Sequence, residues 1–436
     1  MWLKIEEFYA FMENWQIQAQ RAHLIPTLKT GDEMALTSIF LSTLRLVKEY
    51  RNSIFKDIKL TKSWQIYYFT ELCIPEISKS RIDWLIIVVK TWKIVDACLF
   101  EMKNKKNTID LKQVKDYIEL GTKLGIKKLV TVSNEFVSKP EDSPIKIRTS
   151  KHFSLLHFSW AYLITKWQLL LFKNDNNIKD ADQIEIMRES LEYLENPISW
   201  VSWYTQMKKG WKELAEYIRA QKPIKLSEKC IEDSVISWYQ EEKDISLLMS
   251  RKLWVLVKSS SKNDETLKKD IKRLHTEHFI VWGLSVKNSV SDIKMIAEFE
   301  RRTFSLSIKI IPPLDKGTAA RISWITRQLE NSKKKSPFVF EKIYWNIWIE
   351  ANVKFAKKNI RVKIDELSSL KEQCHWKEIQ SFHILVIKEL GSKFASTKKF
   401  IEISEQTVLE FYEGIVQNMT NWTKPTPKLV KIWSKK

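Results

Sequence analysis

The sequence predicts an α/β (α+β) protein with a mixed central sheet flanked by helices, followed by additional helical and α+β regions. Three observations carry this expectation. In the first third, strand-like runs at 64–73, 82–89, 94–100 and 128–133 mix with helix-like stretches in the order helix, three strands, helix, strand. The two central runs are almost wholly apolar, as strands covered on both faces are. The 436 residues are 44% hydrophobic and 29% charged, enough apolar material for more than one core.

Each element has its own signal. Residues 34–58 place Leu36, Ile39, Phe40, Leu44, Val47 and Ile54 on one stripe and predict a helix. Trp64 to Cys73 is aromatic-rich and strand-like. Runs 82–89 and 94–100, joined at Thr91-Trp92-Lys93, predict an antiparallel hairpin. A helix is expected from about Asp110 to Leu124, stopped by Gly125. Lys128 to Ser133 is the next strand. A Pro/Asp/Ser-containing linker at 138–150 leads to residues 153–220, which read as helical. Beyond 250 the pattern predicts a strand at Leu253–Val257, a basic helix at 264–275, a hairpin from 292–300 and 303–311 stopped by Pro312-Pro313, and a helix from Thr318 to Glu330. A lysine-rich joint, Lys333 to Lys335, opens a last region ending in the basic tail Lys424–Lys436. The expected domains are 1–150, 151–235, 236–332 and 333–436.

Seventy-three Lys and Arg against 53 Asp and Glu give a formal net charge of +20. A surplus of that size points to a polyanion, nucleic acid before anionic membrane. The longest apolar runs are far too short to span a bilayer, and Met1 to Glu7 lacks a basic region followed by an apolar one. Cys73, Cys98, Cys230 and Cys374 lie far apart, without zinc or redox spacing. These features fit the cytoplasm. There are 19 Trp and only 8 Gly. Trp92, Trp200 and Trp203 stand where turn geometry favours glycine. Reassigned UGA codons read as glycine are therefore expected at several tryptophans, Trp84 among them.

The chemistry concentrates in the hairpin. Reading Thr91-Trp92-Lys93 as a three-residue turn pairs Lys90 with Ile94 and puts Asp83 opposite Glu101. Directly opposed residues share a face with Cβ atoms ~5 Å apart, so two carboxylates there repel unless a proton or cation lies between them. Mg²⁺ suits such a pair, because it takes one or two carboxylates and keeps positions for water and phosphate. Lys103, two residues beyond Glu101, projects to the same side. Its ammonium can orient a water or stabilise charge on a phosphate. Gln113 and Tyr117 share a helix face, from which they can hydrogen-bond the lysine or a phosphate. Asp96 has the opposite parity and reads as structural. His275 and His278, beside Lys272 and Arg273, read as basic surface.

Arg81-Ile82-Asp83, Phe100-Glu101-Met102-Lys103, the Gln113-to-Tyr117 spacing and Leu129 to Asn134 together resemble the PD-(D/E)XK nuclease superfamily, in the RecB-like branch with a Gln-xxx-Tyr element. His157 to Trp160, Ile322 to Leu329 and Phe411-Tyr412 are similar to segments of a group of long bacterial proteins with this core. The resemblance implies a restriction-endonuclease-like core and a Mg²⁺ or Mn²⁺ ion held by Asp83, Glu101 and the Met102 carbonyl. It also implies that Lys103 assists the attacking water. A further glutamate often joins such a site, and Glu49 and Glu71 are both candidates. Ile82 replaces the usual proline but touches no ligand.

Two functions follow as expectations. The first is a Mg²⁺-dependent nuclease acting on DNA in defence or repair. The alternative is a catalytically silent nucleic-acid-binding or stress-response protein with the same fold. Lys268, Lys269, Lys272, Arg273 and Lys333, Lys334, Lys335 are candidate phosphate contacts in either case, as are Lys354, Lys357 and Lys358. A homodimer is left open.

Overall fold

The computed structural model describes residues 33–61, 65–74, 78–104, 108–135, 152–172, 178–195, 203–259, 264–374 and 377–423. It also describes Lys4, Glu6, Ala10, residues 18–21 and scattered positions between 137 and 150. The chain is mixed α/β, as expected, but divides into two compact units rather than four. The first comprises residues 1–206, 236–257 and 261–264; the second takes 207–235, 258–260 and 265–436. Trp200 and the tail from Lys424 fall outside the described residues.

The first unit is built on a six-stranded sheet in chain order. Its strands are β1 (Gln18–Arg21), β2 (Gln65–Ile74), β3 (Ser78–Lys90), β4 (Lys93–Met102), β5 (Lys128–Ser133) and β6 (Ser154–Ser159). β1 to β4 pair antiparallel, while β4, β5 and β6 run parallel. Both faces are covered, so every residue of β3 from Trp84 to Val89 is buried. One face carries Trp84, Ile86, Cys98, Phe100, Val130 and Phe158 under helices α1 (Glu33–Leu46), α2 (Lys48–Asp57), α4 (Trp160–Phe172) and α5 (Ala181–Glu195). The other carries Leu85, Ile87, Leu99 and Leu129 under α3 (Leu111–Leu124).

Most local signals act as expected. Asp110 caps α3, its side chain accepting the Lys112 N–H at 3.0 Å, and Gly125 ends the helix at φ 75°. Gly121 lets α3 approach the sheet, since a Cβ there would lie 3.3 Å from Leu99 and 3.1 Å from the Ile126 carbonyl. Three expectations need correction. The helix over 34–58 breaks at Val47, which is extended (φ −101°, ψ 102°), although its apolar stripe is buried throughout. Residues 154–159, read as helical, form β6, because the parallel ladder beside β5 outweighs local propensity. A boundary at 150 would therefore cut the sheet.

The hairpin turn also differs. Lys90 pairs with Lys93 across a two-residue turn whose central residues, Thr91 and Trp92, have φ 47° and 65°. This is the left-handed geometry that asks for Asn-Gly. A bulge follows, because Val89 faces Ile94 while Val88 faces Asp96. At this end Asp96 accepts from Lys128 Nζ at 2.8 Å and from the Thr61 amide at 3.0 Å, a structural tie. Trp84, by contrast, is no glycine position. It is fully buried and stacks on Phe100 with ring centroids 4.5 Å apart.

The second unit holds a seven-stranded antiparallel sheet in the order β12-β11-β13-β10-β9-β8-β7. Its strands are β7 (Lys258–Ser259), β8 (Phe279–Ser285), β9 (Ile293–Glu298), β10 (Thr303–Ile310), β11 (Ile347–Val353), β12 (Ile360–Lys363) and β13 (Ile379–Glu389). Helices α6 (Lys209–Arg219), α8 (Asp264–Glu277), α9 (Thr318–Lys335), α10 (Pro337–Ile343), the short α11 (Leu370–Gln373) and α12 (Thr397–Gly414) accompany it. Trp211 is fully buried among Phe299, Phe394 and Phe400, with its indole N–H on the Phe394 carbonyl at 2.8 Å. The expected strand at Leu253–Val257 is instead the end of α7 (Lys229–Leu253) and a turn at Trp254, φ 54°. Lys333 to Lys335 form the last turn of α9 rather than a joint.

Candidate active site

The register of β3 and β4 fixes the central pair. The last pair of the ladder is Trp84 with Phe100, and Asp83 and Glu101 each lie one residue beyond it. They lie on the α3 face, with the parity of Leu85 and Leu99. Glu101 is fully buried and Asp83 half-buried. A carboxylate in such a place needs a partner of opposite charge. Lys103 supplies one, its Nζ 2.5 Å from Glu101 Oε1.

Backbone contacts hold these groups. Asp83 Oδ2 accepts the Met102 N–H at 2.5 Å, tying one carboxylate to the residue between the other and the lysine. The Lys103 amide donates to the Val132 carbonyl at 2.7 Å, and its own carbonyl accepts the Trp160 indole N–H at 3.0 Å. Lys103 is thereby fixed between β5 and the first residue of α4, although β4 ends at Met102.

Helix α3 brings Gln113 and Tyr117 to the same place. Gln113 Nε2 donates to the Tyr117 hydroxyl at 2.8 Å, and that hydroxyl donates to the Arg81 carbonyl. Burial, then the negative charges of Glu101 and Asp83, push the Tyr117 hydroxyl far above its ordinary range. Tyr117 therefore remains a neutral donor. The pair grips the strand two residues before Asp83.

Sequence reasoning missed the extent of this polar row. Glu71 of β2 stands opposite Asp83, since Thr70 faces Trp84 and Leu72 faces Ile82. On the other side Glu101 pairs with Thr131, and Thr131 with His157. His157 is fully buried. Its Nδ1 accepts the Thr131 hydroxyl at 2.9 Å, while Nε2 donates to the Glu135 carbonyl at 2.9 Å. Burial pushes its pKa down to about 4, so the ring stays neutral. The parity of Thr131 within an apolar strand was a usable signal. His157 had none, because its segment read as helix.

Of the two further glutamates, Glu71 lies in the row and ion-pairs with Arg81 at 3.9 Å, in a left-handed conformation (φ 54°). Glu49 belongs to α2, whose Tyr50 and Ile54 pack on the opposite face. Among the described residues, no third acidic side chain clusters with Asp83 and Glu101.

The candidate phosphate contacts belong to the second unit. Lys268, Lys269 and Lys272 are exposed on α8, while Arg273 is paired with Asp270. Lys334 and Lys335 are exposed on α9, and Lys333 reaches Glu341 at 2.7 Å. His275 Nε2 donates to the Ile224 carbonyl at 2.9 Å and His278 meets Glu300 at 2.7 Å, so each has a partner other than a metal. No family model, curated protein or solved structure matches the chain. Among the described residues, no helix is long and apolar enough to cross a membrane.

Proposed function

We propose that the chain is a Mg²⁺-dependent nuclease that hydrolyses phosphodiester bonds in DNA, a cytoplasmic enzyme of defence or repair. The observation that carries this reading is the placement of Asp83 and Glu101 one residue beyond the Trp84–Phe100 pair of an apolar, doubly covered sheet, with Lys103 Nζ 2.5 Å from Glu101. The donor atoms fit the ion. They are hard oxygens, two from carboxylates on adjacent strands and one from the Met102 carbonyl, with the Met102 peptide anchored to Asp83. When bound, Mg²⁺ or Mn²⁺ supplies Lewis-acid stabilisation of the phosphate and a lowered pKa for water.

The chain's own groups do the rest. Lys103 presents a fixed positive charge where negative charge grows on the phosphate. Tyr117 and Gln113 keep strand β3, and so Asp83, in register. The row from Thr131 to His157 sets beside Glu101 groups that stay neutral at physiological pH, so its charge is met by Lys103 and not by the imidazole.

A second reading draws on the same ion pair. A non-cutting nucleic-acid-binding or stress-response protein would also keep Lys103 on Glu101, as a structural strand-end contact. Digestion of labelled single- and double-stranded DNA and RNA, with Mg²⁺ or EDTA, separates the two. Mg²⁺-dependent cleavage that Asp83→Asn abolishes supports the enzyme. Binding without cleavage in every arm refutes it.

A further inference from the structure

The most exposed large apolar side chain among the described residues is Phe355, 91% accessible at the tip between β11 and β12. Its backbone is left-handed, φ 62°. Bulky residues rarely adopt this conformation, and it costs free energy wherever it is kept. Two unfavourable features at one residue, an aromatic ring in water and a strained backbone, call for a reason.

The tip is built rather than frayed. The Lys354 amide donates to the Glu378 carbonyl at 2.8 Å, and the Ala356 amide to the Val353 carbonyl at 3.1 Å. Lys354 Nζ lies 5.4 Å from the Phe355 ring centroid and 3.3 Å from Glu378 Oε2. On the far side Asn359 and Arg361 both bind Glu350, at 2.8 and 2.6 Å. Residues 354–363 read Lys-Phe-Ala-Lys-Lys-Asn-Ile-Arg-Val-Lys, with five basic residues and no acid. Lys357 and Lys358, two and three residues further along the chain, are exposed. Along the same hairpin Lys363 Nζ sits 5.5 Å over the half-exposed ring of Trp348, its cross-strand partner.

We propose that this hairpin is a finger that binds single-stranded nucleic acid, Phe355 stacking on an unpaired base while Lys357 and Lys358 neutralise the adjoining phosphates. One aromatic face set among cations is the chemistry of sequence-tolerant strand binding, since every base has a π-face. An anionic membrane is the weaker match, because a single fully exposed ring gives little apolar area to insert. The inference does not depend on catalysis by Asp83 and Glu101, because binding is read without metal.

The test uses the full chain in EDTA, with a fluorescein-labelled single-stranded oligonucleotide for affinity and a 2-aminopurine oligonucleotide for stacking. Wild type should quench 2-aminopurine. Phe355→Ala should weaken binding by about 5- to 150-fold, remove the quenching and leave the salt slope unchanged. Phe355→Tyr should restore both affinity and quenching. Lys357→Ala with Lys358→Ala should lower the slope of log affinity against log salt by roughly 1.4, at about 0.7 per phosphate contact on a single strand. Wild-type affinity and quenching in Phe355→Ala would overturn the proposal. So would Phe355-dependent binding to vesicles containing phosphatidylserine in a protein that ignores the oligonucleotide. Because Phe355 packs against so little, circular dichroism should show an unchanged fold in each variant.

Discussion

The two sheets of this protein oppose each other in what makes a residue informative. In the first, both faces are covered and β3 is buried residue after residue from Trp84 to Val89. An apolar side chain there is expected, and the polar row from Asp83 to His157 is what needs explaining. In the second, strands such as β11 alternate between buried and half-buried positions, so polar residues on the open side are ordinary. There the exposed Phe355 is the anomaly. One chain thus hides its charge in one unit and displays an aromatic ring in the other.

The largest expected effect tests the hidden row. Asp83→Asn and Glu101→Gln keep shape while removing charge. Each should abolish Mg²⁺ binding by calorimetry together with cleavage, a loss of at least about three orders of magnitude, above that for a single transition-state donor. Retained turnover in either variant would place the chemistry elsewhere. His157 gives the next effect, on stability. Its folded pKa near 4 lies below the usual 6.5. The unfolded chain therefore takes up a proton first as pH falls. The contribution is fully present above about pH 6.5 and is lost on acidification towards 4, up to about 3 kcal/mol. Urea titrations at pH 7.5 and 5 should show this loss, and His157→Gln should flatten it.

Lys103→Met follows, with a fall in turnover of about a hundredfold. The ion should still bind, since the ammonium is not a ligand in this reading. A structural strand-end pair predicts altered stability with cleavage, if any, unchanged, so a calorimetric and a kinetic measurement on one variant decide the matter. Tyr117→Phe should be milder. It leaves the Arg81 carbonyl without its donor inside the fold and should destabilise by about 1–2 kcal/mol, read as a lower midpoint in urea. Smallest of all, Trp92→Gly should stabilise by roughly 1 kcal/mol, because glycine accepts φ 65° without strain. A lower midpoint would show that the indole contributes where it stands.

Much of this was legible in the sequence. Where one physical signal dominates, as with the apolar runs of β3 and β4 or the cap and stop of α3, the sequence reading and the structure agree to within a few residues. Where tertiary pairing decides, they part. Ser154–Ser159 contains only six residues and gains its strand geometry from β5, so no local pattern reveals it, and His157 was lost to view with it. The break at Val47 is similarly silent, because the stripe of apolar residues continues on both sides of it. Glycine-like positions were legible in part. Trp92 has the positive φ expected there, Trp254 has one where none was expected, and Trp84 is a packed core residue.

A three-residue turn would align Asp83 with Glu101, whereas the chain makes a two-residue turn and a bulge. The two routes agree because the bulge takes up the one residue that the shorter turn leaves over. It amounts to one residue of slack between the tip of the hairpin and its working end. A lineage that lost Val95 could close the ladder without a bulge and still bring the two carboxylates face to face. Elsewhere in a ladder, a single-residue slip turns every side chain to the wrong side. The outer end of this hairpin is thus free to vary in length by one residue without any consequence for the charges at its base.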